Sequence, residues 1–273
     1  MAETAPQEAG IINRNVAVVA GLGIAGLRLA EHVVPNLAKG VEHGLAGVFV
    51  GHLLTSSYLH RSRAHGAVTY VPAVENSMRV LTHVAALGVD QEGFVKTHRY
   101  HHEHSDTDED PHAPSVHGFG RVLFGYSRLV GTFKESGKEP EEWDKWKRPK
   151  DALDRYYLNH RVLGWATGIG VHALIAKRRR LSVHGLAVGV GVHAVGWLHE
   201  TGRLTAYTHR SGRPQNLPPT MPLTHLMSGG ESHHLYHHED PGNARVGRDG
   251  RFDPAWYLIR GLSRLGLCTI QKQ

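Results

Sequence analysis

Four apolar stretches, arranged as two pairs, dominate the hydrophobic pattern of this chain. They cover residues 16–34, 41–59, 162–176 and 181–198. Each is rich in Gly, Ala, Val and Leu, and a helix that spans a membrane needs roughly 20 mostly apolar residues. Small residues also allow such helices to pack closely. The pattern therefore predicts four transmembrane helices. Four buried helices of a soluble protein are the alternative, because charged residues and histidines interrupt the first two stretches.

The remaining pattern predicts further helices and one irregular connection. Residues 61–159 are mostly polar, but residues 74–87 have an amphipathic periodicity that suits a membrane surface. Prolines make residues 202–222 irregular, and residues 256–267 predict a final amphipathic helix. No stretch has the features of a signal peptide, and residues 1–13 are expected to form a short disordered tail. We predict an all-α integral membrane protein, with residues 14–273 as one domain whose helical cap lies in the cytoplasm.

Charge and cysteine content narrow the possible partners. The net charge is +6 with neutral histidines, which favours anionic partners such as phospholipid headgroups or coenzyme A. No nucleic-acid-binding motif is visible, so we expect no nucleic acid partner. Basic residues are more numerous on the side of the apolar pairs that carries most of the polar sequence, which places that side in the cytoplasm. Cys268 is the only cysteine, which excludes intramolecular disulfides and thiolate iron–sulfur centres.

Three histidine blocks carry the chemistry that the sequence predicts. The first has the spacing HxxxxH and the other two the spacing HxxHH. Their members are His60 and His65, then His98, His101 and His102, then His234, His237 and His238. Residues three or four apart share a helix face, so each HxxHH block presents two or three imidazoles together. Eight imidazoles exceed the four ligands of one tetrahedral zinc, and they suit two metals side by side.

A glycine array near the start of the chain offers a competing interpretation. Gly21, Gly23 and Gly26 have the GxGxxG spacing of a dinucleotide-binding turn, and Glu42 could stand for the ribose-binding acid. A doubly wound domain needs several further βα units, whereas this chain continues into a second apolar stretch and the first histidine block. We therefore predict no nucleotide cofactor.

The histidine blocks resemble those of the membrane-bound fatty acid desaturases, in particular the acyl-CoA Δ9, or stearoyl-CoA, branch. The resemblance runs from about Gly51 to Leu267. Residues 60–65 (HRSRAH) are similar to the HRxxxH box, and residues 98–102 (HRYHH) are similar to the HRxHH box. Residues 105–112 (SDTDEDPH) resemble the following S-E-T-D-x-D-P-H segment, and residues 230–238 (GESHHLYHH) resemble G-E-G-F-H-N-Y-H-H.

The resemblance implies a ligand set for two irons, with dioxygen as co-substrate. The implied ligands are His60, His65, His98, His101, His102, His199, His234, His237 and His238. His199 is placed at the histidine of the family's N-S-A-A-H motif, so Val195 would replace its asparagine, and His233 replaces the phenylalanine of the third box. Five further histidines are predicted to be surface or packing residues: His43, His83, His117, His160 and His209. Candidates for orienting the ligands are Asp106, Asp110 and Glu231, although helix capping or solvent exposure would also explain these acids.

By this resemblance, the expected activity is oxygen-dependent desaturation of a fatty acyl chain, carried as acyl-CoA or another acyl thioester. No catalytic residue beyond the metal ligands and no further cofactor site is predicted. The electrons would come from an external donor, such as a ferredoxin with its reductase, and membrane lipid would be a further partner. The replacements at Val195 and His233 leave two alternatives. One is a diiron hydroxylase or acetylenase that acts on an acyl chain or lipid, including a chain bound to a carrier protein. The other is metal binding without catalysis.

Overall fold

The structure, a computed structural model, describes residues 26, 36–218, 222–248 and 252–273. The α-helices from Leu37 onward are α1 (Leu37–Leu54), α2 (Pro72–Ala85), α3 (Gln91–Glu103), α4 (Pro114–His117), α5 (Phe119–Glu135), α6 (Trp143–Trp146), α7 (Arg161–Arg178), α8 (Val183–Thr208), α9 (Pro222–Met227), α10 (His234–Glu239) and α11 (Pro254–Arg264). Two π-helices, π1 (Thr55–Ala64) and π2 (Asp154–Leu158), and two strands, β1 (Val68–Tyr70) and β2 (Cys268–Ile270), complete the described elements.

Glycines allow α1 and α8 to pack backbone to backbone. A Cβ atom added at Gly40 would lie 2.6 Å from the carbonyl oxygen of Gly185, and one added at Gly44 would lie 2.6 Å from that of Gly189. Both contacts are shorter than Cβ atoms tolerate. Residues four apart share one helix face, so the spacing of these glycines forms a continuous seam. The seam fixes how α8 lies along α1 on the way to the histidine blocks.

The helix that follows α1 directly has the wider π-helical turn. In π1 the backbone N–H of His65 donates to the carbonyl oxygen of His60 at 3.1 Å, a hydrogen bond between residues five apart. In an α-helix, residues five apart lie on different faces, whereas the π-helical hydrogen bond places His65 directly above His60 along the helix axis. The HxxxxH spacing of the first block therefore fits a π-helix, and both of its imidazoles lie on one side.

A small sheet and an apolar cluster hold π1 against the end of the chain. Strands β1 and β2 pair antiparallel, with Val68 opposite Ile270 and Tyr70 opposite Cys268. Next to them lie the buried side chains Tyr58, Leu59, Met78, Trp256 and Ile259. Burial of such side chains contributes about 1.5–3 kcal/mol each. The cluster anchors α11 on π1, and the sheet is an element that the all-α prediction omitted.

The prediction of four transmembrane helices is wrong for the part of the chain that the structure describes. None of its helices combines the length and the apolar character that crossing a membrane requires. Residues 41–59 divide between α1 and π1, residues 162–176 lie in α7, and α8 continues past residue 198 to Thr208. Polar residues such as Glu42 in α1 and Glu200 in α8 lower the hydropathy. The stretch at 16–34, the tail at 1–13 and the glycine array, apart from Gly26, lie outside the described residues.

Candidate metal centre

The structure gathers nine histidines into two groups. In each group, ring nitrogens that could bind a metal all lie within 4.8 Å of one another. The first histidine group is His60, His65, His98, His102 and His237. The second histidine group is His101, His209, His234 and His238. Eight of the nine residues belong to the three blocks that the spacing singles out.

Helix geometry explains how each HxxHH block serves both groups. On α3, His98 and His102 are four residues apart and face the first group, whereas His101 faces the second. On α10 the division is reversed, because His234 and His238 face the second group and His237 faces the first. Two helices thus supply three histidines to each group.

The imidazoles of the first group converge rather than pair. Nε2 of His237 lies 3.0 Å from Nε2 of His60 and 2.8 Å from Nε2 of His102. Nε2 of His65 lies 2.8 Å from Nε2 of His98. A neutral imidazole has one N–H and one lone pair, so a single nitrogen cannot satisfy two neighbours in this way by hydrogen bonding alone. Lone pairs that converge from several imidazoles suit a cation between them.

The second group lies directly beside the first. Nε2 of His234 lies 2.8 Å from Nε2 of His209 and 3.1 Å from Nε2 of His238. The ring of His238 stacks on the ring of His102 from the first group, with centroids 4.2 Å apart and planes inclined by 16°. Two metals held by these groups would therefore be neighbours in one centre.

Each of the three predicted acids contacts a histidine of this centre. Oδ2 of Asp110 accepts a hydrogen bond from Nδ1 of His101 at 2.8 Å, and Oδ2 of Asp106 accepts one from Nδ1 of His209 at 2.7 Å. Oε2 of Glu231 lies 2.8 Å from Nδ1 of His60. A carboxylate at Nδ1 places the proton there and leaves the Nε2 lone pair directed into the centre.

A buried arginine holds Glu231 in its charged form. The Arg61 side chain is 1% exposed and contacts Glu231 at 3.2 Å and Asp253 at 2.9 Å. Burial alone would raise the pKa of Glu231, but His60 and Arg61 outweigh burial and hold that pKa at about 2. Glu231 is therefore ionised at neutral pH, when a carboxylate can accept the N–H of His60.

Burial keeps six of these imidazoles neutral. It lowers the pKa of His65, His98, His102 and His237 well below the ordinary value, and mutual repulsion among the histidines lowers it further. In the second group the same causes lower the pKa of His234, and that of His238 to about 2. Neutral imidazole is the form that binds metals, so little proton release opposes metal binding at neutral pH.

The ninth histidine of the two groups is not the one that the sequence assigned. His199 lies on an exposed part of α8, where its ring stacks on Phe124 with centroids 5.8 Å apart, and it belongs to neither group. Its predicted companion Val195 is 69% exposed. The fully buried His209, predicted as a bystander, joins the second group instead. Because α8 continues ten residues beyond the predicted end of its apolar stretch, the residue that reaches the centre is the one that follows its last turn.

Two other histidines near the centre have different surroundings. His233 stacks on His225, with centroids 4.7 Å apart, and belongs to neither group. His112 forms a further possible metal-binding set with His101 and Asp110, and burial lowers the pKa of His112 to about 3. The sequence signal for His112 is its place at the end of the SDTDEDPH segment.

A cavity of about 280 Å³ opens directly onto the histidines. Its wall includes His60 and His98 of the first group and His101 and His234 of the second. The rest of the lining is largely apolar and includes Leu87, Phe94, Val130, Trp165, Trp197, Leu198 and Leu204. Asp90, Lys134 and Arg161 also line it, and Lys134 forms an ion pair with Asp90. A ligand with an apolar chain and a polar end would match this distribution of apolar and charged lining residues.

Curated proteins similar to this chain are desaturases. Delta-9 acyl-lipid desaturase 1 of Arabidopsis thaliana is 27% identical over 227 residues, which cover 79% of this chain and 69% of the relative. Icosanoyl-CoA 5-desaturase of Limnanthes douglasii is 30% identical over 234 residues, which cover 82% and 62%. Palmitoyl-monogalactosyldiacylglycerol delta-7 desaturase of Arabidopsis thaliana is 27% identical over 262 residues, which cover 93% and 67%. No family model matches the chain.

These relatives, together with the histidine blocks, define the class of protein. The chain is an oxidoreductase. The relatives support its membership of the membrane-bound fatty acid desaturase family.

Proposed function

We propose that this chain is an oxygen-dependent fatty acyl desaturase whose two histidine groups bind two iron ions. The observation that carries the proposal is the position of the histidines, which form the wall of a largely apolar cavity. The relatives' names describe desaturases of acyl lipids and acyl-CoA, and the activity proposed for this chain is introduction of a double bond into a fatty acyl chain.

The donor atoms fit iron. Both groups offer imidazole nitrogen, which suits iron and would also accept zinc, copper or nickel. The family makes iron the choice among these metals. Iron with dioxygen supplies the oxidising power needed to remove hydrogen from an unactivated methylene. The proposed ligands are the nine histidines of the two groups, with His209 in the place first given to His199.

The carboxylates and the cavity would perform the protein's part of the reaction. Asp110 and Asp106 accept the Nδ1 protons of His101 and His209, and Glu231 lies beside Nδ1 of His60. These acids would keep the Nε2 lone pairs of their histidines directed inward. The apolar wall positions an acyl chain beside the centre and excludes water from it. Contacts of Trp197 and Leu204 with the acyl chain would decide which methylenes lie nearest the metals.

The cavity lining and the cysteine content indicate the partners that the reaction would need. The cationic groups of Lys134 and Arg161 at the cavity could hold the polar end of an acyl thioester such as acyl-CoA. Cys268 is the only cysteine, so the electrons would come from a separate carrier, such as a ferredoxin with its reductase. Access to a lipid substrate would require contact with membrane lipid, and we propose that the histidine centre faces the cytoplasm.

The geometry does not favour hydroxylation over desaturation. That alternative was motivated by Val195 and His233, which lie outside both histidine groups. Thr205, four residues before His209, lines the cavity, and its hydroxyl donates to the carbonyl oxygen of Thr201 at 3.1 Å. If His209 takes the place of the histidine in the family's N-S-A-A-H motif, Thr205 takes the place of its asparagine. Because this replacement lies at the cavity, product analysis should distinguish desaturation from hydroxylation.

Mass spectrometry of lipids and acyl thioesters tests the proposal without a choice of substrate. Cells that express the chain with added iron would be compared with cells that express His237→Ala, which lacks a ligand of the first group. We expect a product lighter by two hydrogens that is absent from the variant. A product heavier by one oxygen would indicate hydroxylation. No new product from folded, iron-loaded protein supplied with a ferredoxin would contradict the proposal.

A further inference from the structure

A second set of buried histidines lies in the helices that support the centre. It consists of His43 on α1, His172 on α7 and His193 on α8, which are 4%, 7% and 2% exposed. None of the three belongs to either histidine group. A buried imidazole without a partner is costly, so three together in an otherwise apolar helix interface call for a physical reason.

Short contacts between ring nitrogens link these histidines in a row. Nε2 of His43 lies 2.8 Å from Nδ1 of His172, and Nε2 of His172 lies 2.7 Å from Nδ1 of His193. His172 therefore uses both ring nitrogens, one toward each neighbour. In the two histidine groups, by contrast, nitrogens converge on one point, and the trio is not among the metal-capable sets found in the described part of the chain. The arrangement is that of linked hydrogen bonds and not that of a metal site.

The charge state suits transfer of a proton. Burial lowers the pKa of His43, and it lowers the pKa of His172 and of His193 to about 4. All three are therefore neutral at pH 7, each with one N–H and one lone pair. Neutral imidazoles linked through both nitrogens can accept a proton at one end and release another at the far end.

The His43 end of this row of histidines lies near the surface. Arg179 is close enough to His43 to lower its pKa, and its guanidinium contacts Glu42 at 3.3 Å. The side chains of Arg179 and Glu42 are 40% and 67% exposed. Protons from solvent would therefore reach His43 at this end of α1.

The other end lies near the cavity. Nε2 of His193 is buried without a well-formed hydrogen bond, although the Ala85 carbonyl is near enough to affect its pKa. The next residue on α8, Ala194, and Trp197 one turn later both line the cavity. His52 also lines it, and its Nε2 lies 3.4 Å from the hydroxyl of Thr201. The linked histidines thus lead from near an exposed ion pair to His193, which lies close enough to His52 of the cavity wall for His52 to lower its pKa.

We infer that His43, His172 and His193 form a proton relay that supplies the desaturation reaction. The inference rests on the proposed function. Conversion of a CH2–CH2 unit and O2 into CH=CH and two waters consumes two electrons, which the external donor provides, and two protons. In the relay, Nδ1 of His43 takes up a proton, and the Nε2 protons of His43 and His172 pass to the next ring. Nε2 of His193 then releases its proton toward the cavity. The rings must reorient before the second proton follows.

The experiment compares His172→Gln with the wild-type protein. Glutamine keeps a hydrogen-bond donor and an acceptor, so it preserves packing and polarity, but an amide does not relay protons as imidazole does. The purified iron-loaded protein would be assayed with stearoyl-CoA, oxygen and a chemically reduced [2Fe–2S] ferredoxin. His184→Gln, at an exposed histidine of α8, is the matched control. His193→Gln serves as a second relay variant in case His172→Gln fails to fold.

We expect His172→Gln to reduce kcat by about tenfold or more, as loss of an acid–base group does, with KM and iron content unchanged. Its solvent deuterium isotope effect should exceed that of the wild type, because proton delivery becomes rate-limiting, and the His184 variant should match the wild type. An active wild type with unchanged kcat and isotope effect in both relay variants would overturn the relay. So would loss of a third bound metal from the variants. A wild type without product would instead contradict the proposed function.

Discussion

His209 is the residue at which the structure and the sequence assignment differ most. Its Nε2 lies 2.8 Å from Nε2 of His234, and its Nδ1 donates to Asp106 at 2.7 Å. The residue assigned by sequence, His199, is exposed on α8. His209→Ala removes one of four imidazoles from the second group, whereas His199→Ala removes none. The two variants change the same residue type ten positions apart and so form a matched pair.

The size of the effect follows from the contacts of His209. Loss of a carboxylate that orients a ligand costs about 10–100-fold in metal affinity, or about 1.4–2.7 kcal/mol. Removal of the ligand itself should cost at least as much. The His209 side chain is fully buried, so truncation also leaves a cavity that does not refill with an equivalent donor. We expect His209→Ala to retain one iron per chain, in the first group, and to lose desaturation.

The assay is iron content per folded chain after dialysis against a weak chelator, measured beside the circular dichroism spectrum and product formation. His199→Ala should keep both irons and full activity. The reasoning would be refuted by the opposite pattern, in which His199→Ala loses iron and His209→Ala does not. Equal iron loss in the two variants would also count against it, since only one of these histidines reaches the centre.

Three further predictions concern other parts of the structure. Glu231→Gln should weaken iron binding in the first group by about 10–100-fold, because His60 loses its charged partner; chelator titration measures this, and unchanged affinity would exclude the role. Gly44→Ala should lower the free energy of unfolding by about 1–3 kcal/mol, since a Cβ would lie 2.6 Å from the Gly189 carbonyl oxygen. A denaturant titration measures this, and a variant at least as stable as the wild type would show that α1 and α8 can move apart to accept the methyl group. The iron-free protein should lose stability as pH falls below about 6.5. The buried histidines protonate there only after unfolding, which costs about 1.4 kcal/mol per histidine per pH unit, and a Tm that stays constant from pH 7 to pH 5 would contradict their burial.

Helix positions followed from the sequence better than helix environments did. Continuous apolar stretches located most of α1, α7 and the first part of α8. It could not show where α8 ends, because beyond residue 198 the sequence becomes polar while the helix continues to Thr208. The prediction of membrane spans relied on small apolar residues, whereas Glu42 and the buried histidines make these helices too polar to cross a membrane.

The candidate site was largely predictable because its residues carry local spacings. HxxHH gives a shared helix face whatever the fold, and the acids Asp106, Asp110 and Glu231 are close in sequence to the blocks. The division of each block between two groups was not predictable, since it depends on how α3 and α10 face each other. His209 has no block around it, and only the length of α8 brings it to the centre.

The most direct test is a single turnover of the purified protein that contains two irons per chain, with stearoyl-CoA, oxygen and reduced ferredoxin, followed by mass analysis of the acyl chain. The account predicts a product lighter by two hydrogens, formed only with iron and oxygen present. Unchanged acyl chains from protein that holds both irons and accepts electrons would contradict it, and would leave metal binding without desaturation.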